Sequence, residues 1–277
     1  MKILNIACGS RISTDTTHEW ENIDFSPLDK RVKKVNLLKQ LPYAKNSFDV
    51  AYSSHFLEHL SKENAYLFLC EVCRVMKVGA ILRIVVPDLE NVVKEYLNIT
   101  EKLRNGGGGD TLTLWEQYDW VLVELFDQMI RIKSGGEMGK YLQNLPNFSV
   151  EFRDYIISRT QSLPAIAQQM RFIDKITLDK ISNKLLNLYL RFVKMLIPKS
   201  LRDEVFIQTS IGERHKWAYD ELSLKRLLRD CGFVECERFS FNTSQIPQFN
   251  NFYLDNNEDG IAYKGASLYI ECKKIEL

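Results

Sequence analysis

The sequence predicts an α/β protein: an open, mostly parallel sheet with one large helical insertion before its last two strands. Three observations carry this. Residues 1–90 alternate short apolar runs with segments of helical periodicity. Residues 89–212 abandon that alternation and read as long helices, interrupted at Gly106–Gly109, Ser134–Gly136 and Pro146. Residues 219–273 resume it. Alternating strands and helices imply parallel pairing through right-handed crossovers.

The elements follow in order. Ile3, Leu4 and Ile6 form a strand that ends in small residues, Ala7-Cys8-Gly9-Ser10. Asn22-Ile23 leads to an acid, Asp24, and a weak strand covers Val32–Leu37. Phe48–Tyr52 is a clear strand, after which Ser53-Ser54 can cap a helix starting near His55. Ser61 with Asn64 opens a longer helix whose apolar positions run from Ala65 to Met76 and include Leu67, and Val78-Gly79 reads as its stop. Ala80–Val86 is a buried, β-branched strand ended by Pro87-Asp88. Helices are expected at 89–104, 112–132, 150–160 and 164–197. Tyr219–Cys231 is a helix with Leu222, Leu224, Leu227 and Leu228 inward; Phe233–Phe241 and Ser267–Lys273 are strands able to pair antiparallel. This divides the chain into a sheet domain, 1–90 with 213–277, and a helical insertion, 91–212, placed to act as a lid.

Composition narrows the function. The 277 residues carry a net charge of +1, so no global field draws the chain to nucleic acid. The six cysteines lack framework spacing, and no signal peptide opens the chain, so a cytoplasmic setting with free thiols is expected. No apolar run is long enough to span a membrane. The basic amphipathic stretch 180–204, with Lys180, Lys184, Arg191, Lys194, Lys199 and Arg202, has three readings: packing on the domain, an oligomer contact, or peripheral contact with anionic lipid.

The first strand and turn point to a nucleoside. Small residues permit close main-chain approach, and an acid ending the second strand can accept from ribose hydroxyls. Only Gly9 is glycine between residues 5 and 24, so the three-glycine pyrophosphate pattern is absent. Asp24 reads equally as a turn acid before Pro27. His55, Glu58 and His59 have the H-x-x-E-H spacing of inverted zinc peptidases, which needs a helix to place both imidazoles on one face. The preceding strand and nucleotide-like turn weigh against that reading, and no metal is expected. Ser53, Ser54, His55 and Asp88 fall at carboxyl ends of strands, where parallel sheets bind ligands. Cys70-x-x-Cys73 lies within a helical period and reads as inert. His215 reads as a junction residue or a substrate contact.

Taken together these residues resemble class I S-adenosylmethionine-dependent methyltransferases of the type 11 methyltransferase-domain group. The resemblance is to bacterial proteins that begin L-N-L-G-C-G and are associated with glycan assembly. It is carried by Leu4–Arg11, Trp20–Asp24, Leu41-Pro42-Tyr43 with Ser47-Phe48-Asp49, Ser53–Leu60, Glu71–Gly79, Val86–Leu89, His215, Tyr219-Asp220, Leu227-Leu228, Gly232-Phe233 and Ser267–Glu271. It implies a Rossmann-like seven-stranded sheet with the last strand inserted antiparallel. It also implies S-adenosyl-L-methionine as cofactor, held by Asn5, Ile6, Ala7, Cys8, Gly9 and Ser10. Asp24 would take the ribose, Phe25 the adenine, Asn36-Leu37 the adenine edge, and Ser53, Ser54 and His55 the pocket under the sulfonium. Ala7 and Arg11 replace glycines of the family pattern and Asn36 replaces an acid. The expected reaction is O-methylation of a sugar or other small glycan-pathway acceptor, with His55 as base and His59 or His215 second. The alternatives are an inactive methyltransferase-like scaffold and the zinc peptidase.

Overall fold

A computed structural model of the chain describes residues 1–27, 29–106, 111–161, 189, 192–193, 195–198 and 213–275. The expected helix at 164–197, the basic residues named in 180–204 and the Gly107–Gly109 turn lie outside the described residues.

Seven strands form one sheet: β1 (Lys2–Ile6), β2 (Glu19–Asp24), β3 (Val32–Lys34), β4 (Phe48–Ser54), β5 (Met76–Pro87), β6 (Phe233–Phe239) and β7 (Ser267–Lys274). Their order is β3-β2-β1-β4-β5-β7-β6. Strands β1–β5 pair parallel, and β7 lies antiparallel to both β5 and β6. The chain reverses between β1 and β4, so the carboxyl ends of these two strands open the crevice where such sheets take ligands.

Helix α1 (Lys62–Val75) starts where the Ser61 hydroxyl accepts from Asn64 N, and it buries Ala65, Phe68, Leu69 and Val72 on one sheet face. Its partner on that face is α6 (Glu221–Asp230), started by a reciprocal bond between Asp220 and Ser223. Among the described residues the opposite face carries no α-helix there, only the 3-10 turn Phe249–Phe252. Ile246, Phe249, Phe252 and Leu254 of the β6–β7 connection cover Ile3, Val50, Tyr52 and Val85 instead. Between β5 and α6 stand α2 (Leu89–Arg104), α3 (Thr111–Ile130), α4 (Gly136–Asn144) and α5 (Val150–Thr160), which bury a cluster of their own around Trp120, Val121, Phe152 and Ile156. No helix among the described residues is long and apolar enough to cross a membrane.

Several local expectations change. Val78-Gly79 does not stop a helix; α1 ends at Val75 and β5 runs through both residues. β3 is only three residues long, and α4 fills a stretch expected to be irregular. Leu222 and Leu67 are 80% and 57% exposed rather than inward, because in each helix the two buried stripes leave that position on the far side. No helix starts at His55: Ser54 ends β4, His55 turns at φ 50, and a single 3-10 turn covers Leu57–His59.

Candidate functional site

The sheet switch point holds a cleft of about 590 Å³, counted out to its mouth. Its floor is the β1 exit, Asn5 to Cys8 with Ser10 and Arg11; Tyr52, Ser54 and His55 of β4 form one side. Leu254, Tyr263 and Lys264 of the β6–β7 connection close the other. The β1 turn is sharp: Arg11 N donates to Cys8 O at 2.7 Å, and both Ala7 and Gly9 sit at φ 54. Ala7 therefore occupies backbone space that favours glycine. Arg11 does not crowd the cleft, because its guanidinium stacks 3.2 Å from the Tyr263 ring centroid and becomes part of the wall. Burial, aided by Asp24, pushes the Cys8 thiol up to about 12, so it stays neutral.

Asp24 ends β2 beside this turn. Its Oδ2 accepts from Gly9 N at 2.9 Å and its Oδ1 from Ser26 N at 2.7 Å. Two amides thus aim the carboxylate, and each oxygen keeps a lone pair for a ligand hydroxyl. Phe25 is exposed next to it. Asn36 accepts from Leu38 N, whereas the Leu37 side chain points into the core. Ser53 is buried with its hydroxyl unpartnered, and Asn5 keeps an unpartnered buried Oδ1 while its amide donates to Arg11 O and Asn22 Oδ1. Orphaned buried acceptors at the ends of β1 and β4, with a poised carboxylate at β2, suit a polar nucleoside carrying an ammonium group.

A second cluster lies behind His55. Its Nε2 meets Ser267 Oγ at 3.0 Å, and its Nδ1 is 3.3 Å from Glu58 Oε1, an ion-pair contact rather than a directed hydrogen bond. Glu58 is 1% exposed, and neither carboxyl oxygen has a hydrogen-bond partner. Burial alone would raise its pKa, but His55, His59 and His215 outweigh it and hold the carboxyl below its ordinary value. His59 and His215 are in ring contact, 4.8 Å between centroids, and neither lines the cleft. Burial brings His215 down to about 4, against the pull of Glu58. The peptidase geometry is absent: His55 precedes a 3-10 turn that His59 ends, and the two share no α-helical face. Asp88 is not free for chemistry either, since it caps α2 through Asn91 N and pairs with Arg238 at 2.6 Å.

Sequence reasoning missed the far wall, Leu254, Tyr263 and Lys264, which lies in the connection between the last two strands. The signal available was Arg83 within the apolar run AILRIVV. A buried guanidinium requires carboxylates, and Asp255 and Glu271 each meet it at 2.7 Å. That network, with Tyr52 OH donating to Asp255, ties the connection against β4 and β5 and so sets the cleft wall.

Residues 6–84 match the family described as "Methyltransferase domain". No curated protein matches the chain. Among solved structures, a methyltransferase from Archaeoglobus fulgidus is 13% identical over 99% of this chain and 86% of its own, with TM-score 0.41. One from Methanosarcina mazei is 15% identical over 99% and 93%, with TM-score 0.40. The [4+2]-cyclase SpnF is 25% identical over 31% of this chain, which spans 38% of that protein, with TM-score 0.27. The strand order and the antiparallel β7 of this chain speak for themselves. With the methyltransferase-domain match at residues 6–84 and this sheet around it, the chain has the class I methyltransferase fold, and the cofactor this supports is S-adenosyl-L-methionine.

Proposed function

We propose that this chain transfers a methyl group from S-adenosyl-L-methionine to an oxygen of a small acceptor, with a sugar hydroxyl or another glycan-pathway acceptor as the first candidate. The observation that carries the reading is one cleft lined by both the β1 turn and His55, with Asp24 at its edge. The β1 turn, Asp24 and the orphaned Asn5 and Ser53 acceptors would hold the cofactor. Arg11 and Lys264 bring positive charge suited to the methionine carboxylate. When bound, the cofactor supplies an electrophilic methyl group. The protein then has to align an acceptor and take its proton. His55 is the base of this reading: it lines the cleft, and Glu58 stabilises the imidazolium formed. The helices of 91–212 serve as the acceptor-side lid, and contact of 180–204 with anionic lipid would suit a lipid-linked acceptor.

The test is calorimetric titration with S-adenosylhomocysteine, followed by an acceptor screen. Micromolar binding that Asp24→Ala weakens at least about tenfold is expected, because a charged hydrogen-bond acceptor is lost. No binding to the folded protein would sink the reading. In the screen, His55→Ala should lower kcat by roughly 10²-fold or more with little change in cofactor affinity.

A further inference from the structure

The cluster behind the cleft sets a buried carboxylate among three imidazoles, those of His55, His59 and His215. Glu58 is a buried carboxylate whose two oxygens lack hydrogen-bond donors. A buried charge in that condition is costly unless a cation or several donors meet it. His59 Nδ1 is 3.2 Å from Arg214 O, and a carbonyl can only accept, so Nδ1 carries a proton. In the neutral ring, Nε2 then presents a lone pair toward Glu58 Oε1, 3.9 Å away, too far for a hydrogen bond. One donor atom each from Glu58, His59 and His215 lie within 4.8 Å of one another. Three Lewis bases thus converge. Arg131, whose charge is felt at His215, is already occupied by Asp127 at 2.6 Å and Glu213 at 3.1 Å.

We infer that Glu58, His59 and His215 form a binding site for a divalent transition-metal ion of the zinc class. Two imidazoles and one carboxylate are a donor set for zinc or cobalt, whereas magnesium and calcium prefer oxygen alone. Ligands of a tetrahedral zinc stand about 3.3–3.5 Å apart, so the set has to contract by about 1 Å, within reach of side-chain rotation. The Nδ1–H to carbonyl bond of His59 is the support that orients a metal-binding imidazole. Glu58 and His215 also line a small cavity between α3 and the end of β5. The ligands come from both sides of the helical insertion in sequence. A bound ion therefore links the β4 exit to the segment that returns from the insertion. A bound ion shares Glu58 with His55, whose Nδ1 is 3.3 Å away, whereas His59 and His215 lie outside the cleft.

The experiment is titration of the chelator-stripped full-length protein with cobalt(II) and zinc(II) chloride, followed by visible absorption and calorimetry. One equivalent should bind, with ligand-field bands of low-symmetry cobalt and no intense thiolate charge-transfer band, which excludes the cysteines as ligands. His59→Ala and His215→Ala should each weaken binding at least about tenfold, while His18→Ala leaves it unchanged. Zinc should also raise the melting temperature of the wild type and not of these variants. Should the variants fail to fold, the wild-type cobalt spectrum decides alone. Absence of a cobalt spectrum, a thiolate-type spectrum, or undiminished binding in a folded His59→Ala/His215→Ala protein overturns the inference. S-adenosylhomocysteine titration of the same sample scores the methyltransferase reading separately.

Discussion

At the scale of single residues, Ala7 and Glu71 are informative. Ala7 adopts φ 54 at the point where β1 turns toward the cleft. A side chain there costs about 1–2 kcal/mol, while glycine gives back part of that gain as unfolded-state entropy. Ala7→Gly is expected to raise unfolding stability by about 0.5–1 kcal/mol, read as the midpoint of urea denaturation at constant slope. Glu71 is an acid whose value follows from its contacts. Its Oε1 accepts from Leu41 N at 2.7 Å and from Arg74 at 2.6 Å. Burial works to raise its carboxyl, but Arg74 and the Leu41 amide outweigh that and lower it. A lowered folded pKa means stability that is present above the unfolded value and lost as pH falls through the folded one. Denaturation midpoints of the wild type should therefore fall as pH drops below about 4.5. Glu71→Gln should be less stable near neutrality and flatten that decline.

Between elements, two ordered motifs turn out to be a single clamp. Arg74 on α1 donates to Tyr43 O at 3.0 Å and Leu41 O at 3.2 Å while paired with Glu71. The Leu41–Tyr43 bend before β4 is thereby fastened to the helix that follows β4. Arg74→Ala is expected to cost about 1–3 kcal/mol, through the donor lost to the Tyr43 carbonyl and the partner lost to Glu71, measured by chemical denaturation. The Arg83 network works the same way across the sheet, with larger stakes because Arg83, Asp255 and Glu271 are all buried. Arg83→Met should destabilise by about 3–5 kcal/mol, since it strands two carboxylates. It should also weaken S-adenosylhomocysteine binding, because Leu254 and Tyr263 lie on the connection that the network holds.

For the molecule as a whole, a ligand seated among β1, β2, β4 and the β6–β7 connection stabilises every element it bridges. At one hundred times its Kd, S-adenosylhomocysteine should add about 2.7 kcal/mol and raise the melting temperature; Asp24→Ala, weakened about tenfold, should lose about half of that rise or more at the same concentration. The alternation of β-branched runs and helical periods was enough to determine the α/β class, the antiparallel pairing of the final strands and the β1 turn with its acid. Those properties depend on local sterics and on spacing a few residues long. Tertiary structure alone decided the rest. His55, His59 and Glu58 have helical spacing, yet the strand runs on to Ser54 and a left-handed residue follows it, so the three side chains take other directions. His215 reaches Glu58 from more than 150 residues away, and Tyr263 reaches Arg11 from more than 250, contacts that no local period encodes. The connection between the last two strands became core because Ile246, Phe249, Phe252 and Leu254 cover apolar strand residues of the sheet's second face, and buried apolar strands take whatever apolar surface the chain brings to them.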